Sequence, residues 1–267
     1  MTPLDIGALR REFPDRRIDY YPSIDSTMRV AAALEPGAVV LAEEQRTGMG
    51  RHGRTWHSEA GSGIYCSLIV APAPVLTLAL GLAAQDAILK STGISCDLRW
   101  PNDVMIADRK VAGILVQLSG TKAIAGIGIN VNHRSFPSEL AVEATSLSRE
   151  RMSNQALTGG SACPTLPQES GAGASACQPC QPIPREPIIA ALLRAADEYL
   201  AYDTPSILRL FTRSSSYAAG RRVEVQQPDG VIRGVTAGLN PEGFLVVRRD
   251  DGTDTLIIAG GVRAAGS

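Results

Sequence analysis

The sequence predicts an α+β protein: a mixed sheet with flanking helices over residues 1–215, then a small C-terminal β-barrel over 216–267. Three observations carry this expectation. Apolar runs of strand length recur at 38–42, 64–70, 111–118 and 123–131. Helical periodicity appears at 76–90 and again at 188–202. Beyond residue 221 short β-rich runs are separated by Asp229-Gly230, Pro241-Glu242-Gly243 and Asp251-Gly252, turn signals spaced as in a small hairpin barrel.

Taken in order, 18–21 reads as a short strand, and Asp25-Ser26 as the cap of a helix running to Leu34 and stopped by Pro36-Gly37. A buried strand at 38–42 leads into a glycine-rich loop, and the loop feeds a second buried strand at 64–70. A helix over 76–90 ends at Gly93. Residues 98–100 make a short strand stopped by Pro101, and two further strands, 111–118 and 123–131, turn at Gly120. From 149 to 187 Ser, Gly, Ala, Gln and Pro dominate, a composition that buries too little apolar surface to offset ordering entropy, so this stretch reads as a disordered insert. Its Cys163, Cys177 and Cys180 read as free thiols, because a fourth nearby ligand for zinc is not visible. Helices at 188–202 and 206–213 restore order, and strands at 222–226, 231–239, 244–248 and 253–258 complete the chain.

Composition excludes several roles. With 44% hydrophobic residues, 20% charged and a net charge of −1, the chain has the make-up of a globular protein without a basic field for nucleic acid. An aromatic content of 4% argues further against RNA binding through stacked bases. No apolar run reaches the roughly 18 residues of a membrane span. Residues 1–17 are polar, contain Pro3 and Pro14, and do not read as a signal peptide. Five cysteines, an odd number, suit a reducing cytoplasm better than a disulfide framework.

The residues that point to chemistry begin with the loop Gly48-Met49-Gly50-Arg51-His52-Gly53-Arg54-Thr55-Trp56. Its glycines let backbone N–H groups approach an anion, and Arg51 and Arg54 supply planar forks suited to phosphate or carboxylate. Asp25-Ser26-Thr27 could cap a helix or bind a ligand. Gln45 is a neutral amide at the end of a buried strand. Arg99-Trp100-Pro101-Asn102-Asp103 puts polar groups at a strand tip, and Lys110 opens an apolar strand continuing Val111-Ala112-Gly113-Ile114-Leu115. Gly128-Ile129-Asn130 closes the series.

In this order and spacing, Asp25-Ser26-Thr27, Gln45, the Gly48–Trp56 loop, Trp100-Pro101-Asn102-Asp103, Lys110 with Gly113-Ile114-Leu115, and Gly128-Ile129-Asn130 resemble the catalytic core of the biotin protein ligases. The resemblance covers about residues 18–147, and the β-rich tail matches the family's SH3-like C-terminal module. It implies an ATP-dependent ligase that uses Mg2+ with its ATP, forms biotinyl-5′-AMP, and passes biotin to a lysine of the biotin carboxyl carrier protein of acetyl-CoA carboxylase. By the same resemblance Lys110 and Arg51 are catalytic. Ser26, Thr27, Gln45, Gly48, Arg51, Lys110 and Gly113 bind biotin; Arg51, Arg54, Trp56, Asn102, Asp103, Lys110 and Asn130 bind the nucleotide; and Asp103 orients Lys110 or approaches Mg2+.

Two departures stand out: Met49 occupies a position where the family usually has arginine, and Met28 one where it has asparagine. The resemblance also implies a cytoplasmic, single-function enzyme that binds neither DNA nor membrane, since only 25 residues precede Ser26. Homodimer formation is left open. A lipoate-handling enzyme and a non-catalytic biotin binder are the alternatives.

Overall fold

The computed structural model describes residues 2–157, 181–227 and 230–265. The first helix, α1 (Ile6–Glu12), precedes strand β1 (Ile18–Tyr21), helix α2 (Thr27–Ala31) and strands β2 (Val39–Ala42) and β3 (Gly63–Val70). Helix α3 (Leu76–Thr92) leads to β4 (Asp97–Arg99), β5 (Asp103–Ile106), β6 (Arg109–Ser119) and β7 (Lys122–Asn130). These seven strands form one sheet in the order β1-β2-β3-β7-β6-β5-β4. Only β1 and β2 pair in parallel, so the sheet is mixed, as the sequence predicts.

The apolar runs are continuous because both sheet faces are covered. Val39 and Leu41 of β2, with Ile64, Cys66 and Leu68 of β3, point to the face packed by α3 and by helix α5 (Glu186–Leu200). Val40 and Ile69 point to the opposite face and meet Met28 and Ala31 of α2. Burial pushes the thiols of Cys66 and Cys96 up to about 12, and both are free.

Helix α3 ends where expected, at Gly93 in the left-handed region with φ 71°. Other bounds differ. Helix α2 stops at Ala31 and not at Leu34, and Ser26, although at its N-cap position, makes no side-chain capping bond. Residues 103–106, of which only Asp103 was read, as part of a turn at the strand tip, are strand β5, paired with β4. The expected insert 149–187 is narrower at both ends: helix α4 (Leu147–Leu157) runs into it, and α5 begins at Glu186. Residues 158–180, with Cys163, Cys177 and Cys180, lie outside the described residues.

Helix α6 (Thr204–Ser214), N-capped by the Asp203 carboxylate accepting from Ser206 N–H at 2.9 Å, leads to the second sheet. Strands β8 (Ala219–Gln227), β9 (Gly230–Leu239), β10 (Leu245–Arg248), β11 (Asp254–Ile257) and β12 (Gly261–Ala264) are antiparallel in the order β11-β10-β9-β8-β12. Strand β12 was not anticipated; Gly260 and Gly261 hid it. The five strands form the separate small β unit that the hairpin spacing predicts, and among the described residues the end strands β11 and β12 are not paired with each other.

The two sheets meet through specific bonds. The Trp100 indole donates to the carbonyl of Gly243 at 2.9 Å, Arg263 pairs with Glu143 at 2.6 Å, and Asp108 accepts from Tyr217 and Arg221, each at 2.7 Å.

Candidate active site

The site is built on a floor of glycines. The register of β6 against β7 sets Gly113 opposite Gly128, with Gly126 two residues away on the same strand. A side-chain carbon on Gly128 would lie 2.4 Å from the Trp56 ring. One on Gly113 would lie 2.8 Å from Lys110 Cε and 2.9 Å from that same ring, and one on Gly126 2.7 Å from Met28 Sδ. Three glycines therefore let an indole, an ammonium and a thioether rest directly on the sheet backbone.

At one end of this floor lies a neutral polar cluster. Gln45 Oε1 accepts from the Thr27 N–H at 2.9 Å and from the Thr27 hydroxyl at 3.0 Å, and its Nε2 donates to Ser58 Oγ at 3.1 Å. Ser67 Oγ donates in turn to Thr27 Oγ1 at 2.8 Å. The Asp25-Ser26-Thr27 segment is thus a polar wall, with Gln45 in place of a side-chain cap. Two buried groups have no partner here: the Ser26 hydroxyl and the Trp56 indole N–H. Buried polar atoms are rarely left so, which marks both as candidate hydrogen-bonding groups of the site.

At the other end the charges gather. Lys110 Nζ lies 2.5 Å from Asp103 Oδ1, and Arg99 donates to Asp103 Oδ2 from Nε at 3.2 Å and NH2 at 2.8 Å. Burial alone would raise the Asp103 carboxyl, but the Lys110 and Arg99 charges and their hydrogen bonds outweigh it, and it lies below the ordinary carboxylate value. Because both of its oxygens are engaged by cations, Asp103 does not suit a further dication as ligand. Its geometry is that of a group that fixes the Lys110 ammonium, which also sits 5.2 Å from the Trp56 ring centre.

Arg51 donates to Asn102 Oδ1 at 2.8 Å, and Asn102 Nδ2 is held by the carbonyl of Ile114 at 2.9 Å. Burial lowers the Arg51 guanidinium from its usual value, opposed by Asp103. The adjacent residues Asn102 and Asp103 therefore aim two cations from separate segments, Arg51 and Lys110, at one place.

Two cavities meet at that place. The inner one, about 50 Å³, is lined by Ser26, Gln45, Met49, Trp56 and the glycine floor. The outer cleft, about 750 Å³, runs from Arg54, Asn102, Asp103 and Asn130 to Gln226, Gln227 and Arg263 of the second sheet. Arg51, Trp56, Asn102 and Lys110 line both.

Most of the expected residues converge, with three differences of role. Gly48 lines neither cavity; a side chain there would lie 2.5 Å from the Trp56 carbonyl, so it serves the loop's own fold. The amide of Asn130 donates to Thr145 O at 3.1 Å and braces the cleft wall. Trp56, expected to brace the loop beside the nucleotide, lines both cavities and lies over Gly113 and Gly128. Sequence reasoning missed the roles of Arg99 as a second cation on Asp103 and of Gln226, Gln227 and Arg263 as the far wall. Arg99 was visible four residues before Asp103, but its strand pairing was not.

The chain is similar to known proteins over both of its sheets. Residues 20–133 match the model of the biotin/lipoate A/B protein ligase family, and 219–262 that of the biotin protein ligase C terminal domain. The chain is 31% identical over 265 residues to the bifunctional ligase/repressor BirA of Bacillus spizizenii, covering 91% of this chain and 73% of that protein. It is 29% identical over 283 residues to the biotin–[acetyl-CoA-carboxylase] ligase of Mycobacterium tuberculosis, covering 97% and 94%. The biotin protein ligase from Aquifex aeolicus in complex with biotin and ATP superposes with a TM-score of 0.74 at 27% identity, covering 93% and 99% of the two chains.

Proposed function

Because the chain belongs to the biotin/lipoate A/B protein ligase family, on its biotin protein ligase branch, we propose that it activates biotin with ATP to biotinyl-5′-AMP. It then transfers biotin to a lysine of the biotin carboxyl carrier protein of acetyl-CoA carboxylase. The observation that carries this reading is the convergence of Lys110 and Arg51 where the neutral inner cavity opens into the charged cleft.

Ser26, Thr27 and Gln45 supply uncharged hydrogen-bonding groups that suit the ureido ring of biotin. The carboxylate end then faces Lys110 and Arg51. ATP, carried as its magnesium complex, occupies the outer cleft with Arg54, Asn102 and Asn130 on its walls. A carboxylate oxygen attacks the α-phosphorus, the bond to the bridging oxygen breaks, and pyrophosphate leaves. Two anions approach in this step, so Lys110 and Arg51 both offset their repulsion and stabilise the charge that develops. In the second step the carrier lysine attacks the acyl carbon and AMP leaves.

The inner space of about 50 Å³ holds little more than a water or two, far below the ~300–1,000 Å³ of ordinary ligand pockets. Biotin therefore requires Trp56 to withdraw from Gly113 and Gly128, and the 46–56 loop to move with it. No helix among the described residues is long and apolar enough to cross a membrane. The family resemblance is the ground for placing the enzyme in the cytoplasm, and a net charge of −1 gives no global field that would draw it to DNA.

The test is biotin-dependent exchange of pyrophosphate into ATP, with lipoate as the competing acid. Exchange with biotin that falls at least about 100-fold in Lys110→Ala supports the reading. Intact exchange in that variant removes Lys110 from the chemistry, and exchange with lipoate alone reassigns the substrate.

A further inference from the structure

Beside the cleft, but apart from the Lys110 cluster, His57, Glu59 and His133 come together. A ring nitrogen of each histidine and a carboxylate oxygen of Glu59 all lie within 4.8 Å of one another. His57 and Glu59 follow the glycine loop, and His133 lies just past the end of β7. The His133 ring is wholly buried, stacked on Phe136 at 5.3 Å between centres and facing His57 at 5.7 Å.

One hydroxyl determines which nitrogen of His133 is bare. Tyr65 Oη donates its only proton to the Glu59 carbonyl at 2.8 Å. Its contact with His133 Nε2 at 3.2 Å is then a bond that Nε2–H donates. A neutral ring protonated at Nε2 has a lone pair on Nδ1, and that atom is buried with no hydrogen-bond partner. Leaving such an acceptor unmet is costly unless something else completes it.

We propose that His57, Glu59 and His133 bind a divalent first-row transition ion of the zinc class, with His133 Nδ1 as the buried ligand. Two imidazoles and one carboxylate are a donor set suited to zinc, with water in the fourth position. Imidazole donors set the site apart from one for magnesium, which takes oxygen ligands. Tyr65 is the outer partner that fixes two of the three ligands, because it holds the ring of His133 and the backbone of Glu59 together. The ion ties the residues after the glycine loop to the end of β7 and so fixes one end of the segment that must move to admit biotin. The site stands independently of the ligase reading, and its test reads binding rather than turnover.

The test is titration of the full-length, metal-stripped chain with Co2+, followed by displacement with Zn2+. Expected is one equivalent bound, with visible ligand-field bands and no thiolate charge-transfer band, and a higher thermal midpoint. Glu59→Gln and His57→Ala, both at solvent-accessible positions, are each expected to weaken Co2+ binding by at least about tenfold. Tyr65→Phe, which keeps the ring and removes the orienting hydroxyl, is expected to weaken it by about 10–100-fold. The proposal is overturned if no saturable binding occurs, or if both ligand variants bind as tightly as the parent. It is also overturned if a thiolate band appears and vanishes when Cys163, Cys177 and Cys180 are replaced by serine.

Discussion

Asp103 is the single side chain on which the charged end of the site depends. It offsets two cations at once, and its neutral isostere would leave Lys110 and Arg99 close together and uncompensated. Asp103→Asn is expected to cost about 3 kcal/mol of stability, the lower end for a broken buried pair because these groups keep some contact with water; urea unfolding measures it. The pH dependence follows from the direction of the shift. The folded-state carboxyl lies below its unfolded value, so its stabilisation is full above the ordinary carboxylate pKa near ~3.9 and is lost as pH falls through the lower, folded value. Acid unfolding curves of the parent and of Asp103→Asn should therefore converge at low pH. Met49 offers the opposite test. It lines the inner cavity, where the resemblance leads one to expect arginine. Met49→Arg should retain the adenylate more tightly by about 1.5–3 kcal/mol, a tenfold or greater slowing of its release in a filter or gel-filtration assay. The polar residues of the site were legible because each stands at or near the end of an apolar run: Gln45 after β2, Lys110 at the head of β6, Asn130 at the end of β7. What could not be read from them was pairing. Nothing local tells Arg99 that it shares Asp103 with Lys110, because that contact depends on the bulged register between β5 and β6.

The elements differ in how plainly they were written. Strands β2, β3, β6 and β7 and helix α3 were legible because both sheet faces are covered and the helix ends on a left-handed glycine. Strand β5 was not, because Asn102-Asp103 carries turn chemistry and only its place beside β6 makes it a strand. Helix α4 was missed for a related reason: its sequence is polar, and a composition argument about the 149–187 stretch absorbed its last turns. The glycine loop is the element on which function turns, and Trp56 reports on it. Biotin should change the Trp56 emission as the ring leaves Gly113 and Gly128, while Trp100, buried and bonded to Gly243, gives a constant background. Trp56→Phe should abolish the change; a biotin-dependent signal that survives would show that the loop does not move as described. Gly128→Ala should mimic the displaced state without ligand. Its new carbon would lie 2.4 Å from the ring, so the free protein should already show the shifted emission.

At the scale of the molecule, the two sheets share one cleft and a few bonds. Trp100→Phe preserves the ring and removes the hydrogen bond to Gly243, and is expected to lower stability by about 1–2 kcal/mol in urea. The same variant should raise KM for ATP more than KM for biotin if the cleft that spans both sheets is the nucleotide side, as proposed. That architecture was half legible: the hairpin spacing announced a second unit, but not that its Gln226, Gln227 and Arg263 would close the first unit's cleft. The Trp100 contact has a mechanical corollary. Its indole is anchored in the turn between β9 and β10, while its immediate chain neighbours carry Arg99, Asn102 and Asp103. A displacement of the small sheet would thus tug on the tip that steadies the ammonium of Lys110, so the two units are mechanically linked at the site.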